Sequence, residues 1–193
     1  MKIYRFNLIV VALILTGVLT VLGTLFSLGI LLPGLIIAFY RVLHQVVIEQ
    51  STLQVGHQYL STLLSVAYKA ALSSVWYVWL LALLIMSFLG FNEVLLLWPP
   101  LISAMVLGIQ IIVFHYALNM LLWITLYQSN DMDRPHQRAI IKIHQHFIAS
   151  LMVTFIVTGL FLLATAQLIF LIVIIPAILW MFWGWGYKKI SST

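Results

Sequence analysis

The sequence predicts an all-α fold, a polytopic transmembrane bundle of about six spans with a short amphipathic surface helix, on three observations. The 193-residue chain is 64% hydrophobic and only 7% charged, with mean hydropathy +1.17, where soluble chains average about 25% charged. Its apolar residues come in runs of tens, and an uncharged run of ~18 or more residues reads as a membrane span. The nine basic residues can all be placed on one side of the bundle (Lys2, Arg5, Arg41, Lys69, Arg134, Arg138, Lys142, Lys188 and Lys189). By the positive-inside rule that side is cytoplasmic, which puts both termini in the cytosol and makes the number of spans even. The whole of 1–193 reads as one integral membrane domain in the cell membrane. The net charge of +5 belongs to orientation and to an anionic inner leaflet of the lipid bilayer, and implies no nucleic acid. With no cysteine there is neither a disulfide nor a thiolate site.

In chain order, the start MKIYRFNLIVVALIL has the basic-then-apolar order of a secretory signal. Its apolar run continues past a signal core and no cleavage-like site follows, so it reads as a retained first span. Phe6 to Tyr40 carries no charge over 35 residues, too long for one span of roughly 20. A break among Gly23, Ser27, Gly29 and Pro33 divides it into spans near 7–27 and 30–48. Thr16, Thr20, Gly23 and Ser27 share one helical face, where small side chains let helices approach closely in lipid. Residues 51–69 read as the surface helix, with Gln54, Gln58, Ser61, Ser65 and Lys69 on one face and Leu53, Leu60, Leu63, Leu64 and Ala67 on the other. Ser51 and Gln54 have capping-box spacing at its start.

The third span is placed at 70–90, followed by a short outer loop at Asn92 and Glu93 and by Trp98-Pro99-Pro100 at the outer surface. The fourth runs over 99–127. The stretch 128–146 is the cytosolic loop, holding five of the chain's thirteen charged side chains and three of its six histidines. Arg134, Arg138, Lys142 and His146 recur every fourth residue as a basic stripe on a helix beginning near Pro135, and Asp131 and Asp133 precede it where the helix dipole favours anions. That helix is expected to continue unbroken into a fifth span over 147–164. A turn around Ala164 to Gln167 leads to a sixth over 168–186, closed by an aromatic belt of Trp180, Trp183, Trp185 and Tyr187.

The chain is poor in catalytic material. It has four carboxylates, Glu49, Glu93, Asp131 and Asp133, all at span ends or loops, and none forms a pair with acid–base context. No phosphate-binding loop, H-E-x-x-H or G-x-S-x-G occurs. The reading is therefore a non-enzyme without a cofactor. His144 and His146, two residues apart, point to nearly opposite faces of a helix and make no metal pair. His115, deep in the fourth span with Asn119 one turn on and Ala104 and Gly108 on about the same face, is the candidate intramembrane polar site. It can serve as a neutral imidazole bonded to a neighbouring helix or as a substrate contact; Gln110 and Gln167 pose the same choice. Arg134, Arg138 and Lys142 are the candidate cytosolic contact for lipid or a partner protein.

The order of features resembles the YesL family of small bacterial integral membrane proteins. It shares a Gly29-to-Pro33 break followed by Ala38 and Arg41, and aromatic and lysine residues before the third span (Tyr59, Tyr68 and Lys69). It also shares a basic helix from Arg138-Ala139 to His146 and a late proline, Pro176. Where relatives often place proline after the histidine matched by His146, this chain has Phe147, which leaves the helix unbroken on this reading. The resemblance implies an accessory membrane protein associated with a carbohydrate ABC transporter, and carries no established site residue. The other reading open to such a chain is the substrate-binding membrane component of a vitamin or small-molecule importer, with His115, Asn119 and the tryptophans as its pocket. A passive pore is the weakest reading, because beyond the small-residue faces there are no rings of polar residues.

Overall fold

A computed structural model describes residues 2–27, 30–48, 55–94, 99–165 and 169–191. They are all-α: α1 (Lys2–Phe26), α2 (Leu32–Val47), α3 (Val55–Val94), α4 (Pro100–Ser129), α5 (Pro135–Gln145), α6 (Phe147–Thr165) and α7 (Ile169–Ser191). The capping residues Ser51 and Gln54, together with Gly29, Trp98 and Gln167, lie outside the described residues.

The break in the long N-terminal apolar run falls where expected. The Ser27 amide closes on the Gly23 carbonyl, Ser27 Oγ accepts from the Leu31 amide at 3.2 Å, and Pro33 sits in the first turn of α2, where a missing N–H costs no bond. The predicted small-residue face turns inward, burying Thr16 and Thr20. Thr20 Oγ1 meets Tyr59 Oη of α3 at 2.8 Å. At Gly23 a side chain would run into Leu35 of α2, and at Gly17 into the ring of Pro176 of α7. Absence of a Cβ is what lets α1 lie so close to both helices.

Two helices form the core. Every residue of α2 from Pro33 to Tyr40 is buried, as is every residue of α4 from Ala117 to Tyr127. A helix apolar on all sides must be covered on all sides, and α1, α3, α4 and α7 all pack on α2. At ~1.5 Å per residue α2 is only about 24 Å long, so it sits within its neighbours. Leu179, Phe182 and Trp183 of α7 and Ala139 and Ile143 of α5 complete this packed end.

Several expectations need correction. From Val55 on, the predicted surface helix and the third span form one continuous helix, α3, with 40 residues. No Gly or Pro lies between Gly56 and Gly90 to interrupt it. Tyr59 turns into the core while Leu60 and Leu64 remain exposed beside Ser61 and Ser65, so the predicted apolar face is not the buried one.

Between α5 and α6 the error runs the other way. The continuous helix expected there breaks at His146, whose backbone leaves the helical region at φ −122°, ψ 39°, and the two axes meet at 96°. Only Ala139 and Ile143 of α5 are buried, both against the core. A straight continuation of α6 would lift them off, so the chain turns without a proline.

Asp131 does not cap α5. It reaches back to α2, where Arg41 Nη2 lies 2.5 Å from its carboxylate, while Arg41 Nε donates to the Ser129 carbonyl. The capping position falls to Arg134, in a left-handed backbone conformation (φ 52°) with no side-chain cap. The aromatic belt is also largely internal. Trp183 is buried and stacks on Tyr187, and Trp185 packs on Trp123 and Phe182, leaving Trp180 open.

Among the described residues, length and composition qualify fewer spans than six. Among the described residues one helix, Pro100–Ser129, is long and apolar enough to cross a membrane. The bent pair Pro135–Gln145 and Phe147–Leu160 makes a second if taken as one span. Ile9–Thr24, Leu32–Val47 and Ser74–Ser87 are shorter apolar helices.

Candidate functional site

Two groups of polar side chains stand out in this apolar fold: a buried cluster between α4 and α6, and the basic surface around the α5–α6 elbow.

His115 and Asn119 lie one turn apart on the inward face of α4, opposite Ser150 and Thr154 of α6, and all four are buried. His115 Nδ1 is 2.8 Å from Thr154 Oγ1. The Asn119 amide donates to that same Oγ1 at 2.9 Å and to the His115 carbonyl at 2.9 Å, with the Ser150 carbonyl at 3.4 Å. Two carbonyls facing this atom identify it as the nitrogen of the side-chain amide, because an oxygen there would be repelled by both. Thr154 can direct its own proton to the Ser150 carbonyl at 3.0 Å or to His115 Nδ1. In either tautomer His115 Nε2 has no partner, and neither have Asn119 Oδ1 and Ser150 Oγ. The rings of Phe147 and Tyr116 enclose the imidazole edge-on, with centroids 5.6 and 5.5 Å away.

The predicted pair is thus brought together and joined by two residues of α6, Ser150 and Thr154, that sequence reasoning did not assign to the site. Their spacing matches that of His115 and Asn119, which was the available signal. The rest of the predicted stripe is not part of the site. Ala104 is exposed, and a side chain at Gly108 would meet nothing. Gln110 instead donates to Ser87 of α3 at 2.9 Å. Nor do the tryptophans join His115. Trp123 and Trp185 stack with Tyr127 and Phe182 nearer the basic end, and Trp76 and Trp79 are exposed on α3.

At that basic end Arg134 and Arg138 are exposed and Lys142 is partly covered. His146, the last member of the stripe, turns inward at the elbow and its ring meets Trp185 of α7 at 6.2 Å. Burial, and then Lys189 and Lys142, hold its imidazole below the ordinary value of 6.5. Lys189 thereby joins the stripe from the other end of the chain. His144 faces away, with its Nε2 3.3 Å from Tyr116 Oη, so the two histidines diverge as their spacing predicts. Among the described residues no three His, Asp or Glu side chains are grouped to hold a metal ion.

Below the elbow, α6 and α7 diverge to leave an open groove of about 270 Å³ between Ala149, Met152, Val153, Ile156, Met181 and Trp185. The buried His115 cluster does not open into it. The chain matches no family model, no curated protein and no solved structure.

Proposed function

We propose that this chain is a multi-pass membrane protein of about six spans with both termini cytoplasmic. On this reading it is non-enzymatic and assists or regulates a bacterial ABC transporter, in keeping with the expectation raised by its resemblance to the YesL family. The observation that carries the proposal is α5, a basic amphipathic helix set across the end of the bundle with Arg134 and Arg138 facing outward. A short helix held at 96° to the next, with Ala139 and Ile143 packed beneath and Arg138, Ile140 and Ile141 exposed, is suited to docking on a partner's cytoplasmic surface or on anionic headgroups. Support for a lipid environment comes from α4 and α6. Leu101, Met105, Ile109, Ile112, Met152 and Phe155 are all exposed, a cost in water of ~25 cal/mol per Å² that vanishes among lipid tails.

The test is gentle extraction of the tagged protein from its native membrane, with mass spectrometry of what accompanies it. A permease or ATPase in stoichiometric amount is expected, and should be lost when Arg134, Arg138 and Lys142 are changed together to Gln. Retention of the partner by that variant would remove the docking role of α5.

A second reading, the binding component of a small-molecule importer, is favoured by one observation: the unpartnered His115 Nε2, Asn119 Oδ1 and Ser150 Oγ. A polar ligand reaching between α4 and α6 would satisfy all three. It predicts a co-purifying metabolite that protects the protein against heat, with protection absent in His115→Ala.

A further inference from the structure

The groove between α6 and α7 has a direction. Its lining is apolar along its length, and it is bounded at one end by Trp185. There the Trp185 ring meets His146 across the elbow. One helical turn before His146 on α5 is Lys142, whose carbonyl accepts the His146 amide, and one turn after Trp185 on α7 is Lys189. An apolar trough thus ends in two lysines and an imidazole, Lys142 and Lys189 both standing close enough for their charges to act on His146. That order of chemistry along one line belongs to an amphiphile with a hydrocarbon tail and an anionic head.

We propose that the α6–α7 groove with Lys142, His146 and Lys189 is a binding site for a single anionic glycerophospholipid, its acyl chain between Met152, Val153 and Met181 and its phosphate at the elbow. This rests on the membrane reading above and deepens it, because the lipid is taken from the leaflet in which α6 and α7 would stand. Charge complementarity selects the occupant. A zwitterionic lipid would bring its own cation against the lysines, and a helical peptide would need apolar pockets spaced along a wider face. The 96° turn at His146 matters here, because a straight α5–α6 helix would carry Lys142 up and away from α7.

The experiment uses the full chain purified in detergent, titrated with phosphatidylglycerol, phosphatidylcholine or glycerol 3-phosphate, reading the thermal midpoint and, by native mass spectrometry, the number of bound lipids. One phosphatidylglycerol per chain is expected, with a rise in midpoint that phosphatidylcholine and glycerol 3-phosphate do not give. Lys142→Gln with Lys189→Gln should weaken that binding roughly 30-fold, at about fivefold for each lysine near a lipid surface. Val153→Trp, which fills the trough and leaves the cations in place, should abolish it. Equal responses to both phospholipids, or unchanged affinity in the double Gln variant, would overturn the site. An equal response to glycerol 3-phosphate would make it a phosphate site without a tail. Alkaline carbonate washing of native membranes separates the two levels. Release of the chain by carbonate defeats the membrane reading and this site together, whereas retention without phosphatidylglycerol preference defeats the site alone.

Discussion

The two halves of α4 are both rich in large apolar residues and meet opposite fates. Residues 117–127 are buried without exception, while Leu101, Ile102, Met105, Ile109, Ile111 and Ile112 of the first half are exposed on several sides. The difference comes from the neighbours. Near its C-terminal end α4 is met by α2, α5 and α7, and large aromatic side chains fill the space between them. In its first half α4 is met by α3, as in the bond from Gln110 to Ser87, and much of its apolar surface faces outward. Hydrophobicity therefore says that a residue avoids water, and leaves open whether protein or lipid replaces it.

That comparison can be broken by substitution, and the largest effect belongs to Trp123. It is fully buried and packs on Tyr127, Phe182 and Trp185. Trp123→Ala should cost about 3–5 kcal/mol of stability, whereas Trp76→Ala, at a residue 76% exposed, should leave the thermal midpoint in detergent nearly unchanged. Similar losses for the two would mean that the packed and open regions are not distinct.

Glycines sharpen the contrast with added rather than removed volume. A side chain at Gly186 would collide with Leu126, while at Gly108 and Gly159 it would meet nothing. Gly186→Leu should destabilise by about 1–3 kcal/mol through overpacking. Gly108→Ala should be neutral or stabilising by up to ~1 kcal/mol, from helix propensity alone. Denaturation of the pair of variants side by side decides the matter.

The polar cluster tests how α6 is held to α4. Thr154→Val keeps the shape and removes the oxygen shared by His115 and Asn119. Interhelical hydrogen bonds in lipid are worth about 0.6–2 kcal/mol, and the variant should lose an amount in that range. The accompanying readout is faster hydrogen exchange confined to α6. A uniform change over the chain would show that the cluster does not specifically join these two helices.

The smallest expected effect is one of pH. His146 binds its proton less readily in the fold than in the unfolded chain. The stability it contributes is therefore fully present above pH 6.5, its ordinary value, and declines as pH falls through the lowered one. As pH falls below 6.5 the contact of His146 with Trp185 should loosen as the imidazolium forms beside Lys189 and Lys142. His146→Gln should flatten that part of the stability profile, and an unchanged profile would remove His146 as its source.

Much of the helical framework could be read from sequence because its signals are local. Pro33 and Pro100 mark helix starts, Ser27 ends α1, and the four-residue spacing of Thr16 and Thr20 marked a packing face that is in fact buried. The pairing of His115 with Asn119 was likewise visible as spacing on one helix. Their junction with Ser150 and Thr154 was not, because it depends on the angle between α4 and α6. The elbow at His146 was misread for a related reason. No Gly or Pro lies between His136 and Ile148 to announce it, and the turn is imposed by the burial of Ala139 and Ile143 against a core assembled from distant parts of the chain. The merging of 55–69 with the following helix is the converse case, where a change in amphipathicity was read as a boundary although the backbone has no reason to stop.

By itself the sequence determined that this protein is all-α, apolar over most of its length and basic at a few separated places, since composition, period and turn chemistry act within a few residues. Tertiary structure decided which apolar faces are covered, that Arg41 binds Asp131 and that Lys189 stands near His146. Those outcomes depend on contacts between residues far apart in sequence, set by how whole helices cross, and no local pattern encodes a crossing angle.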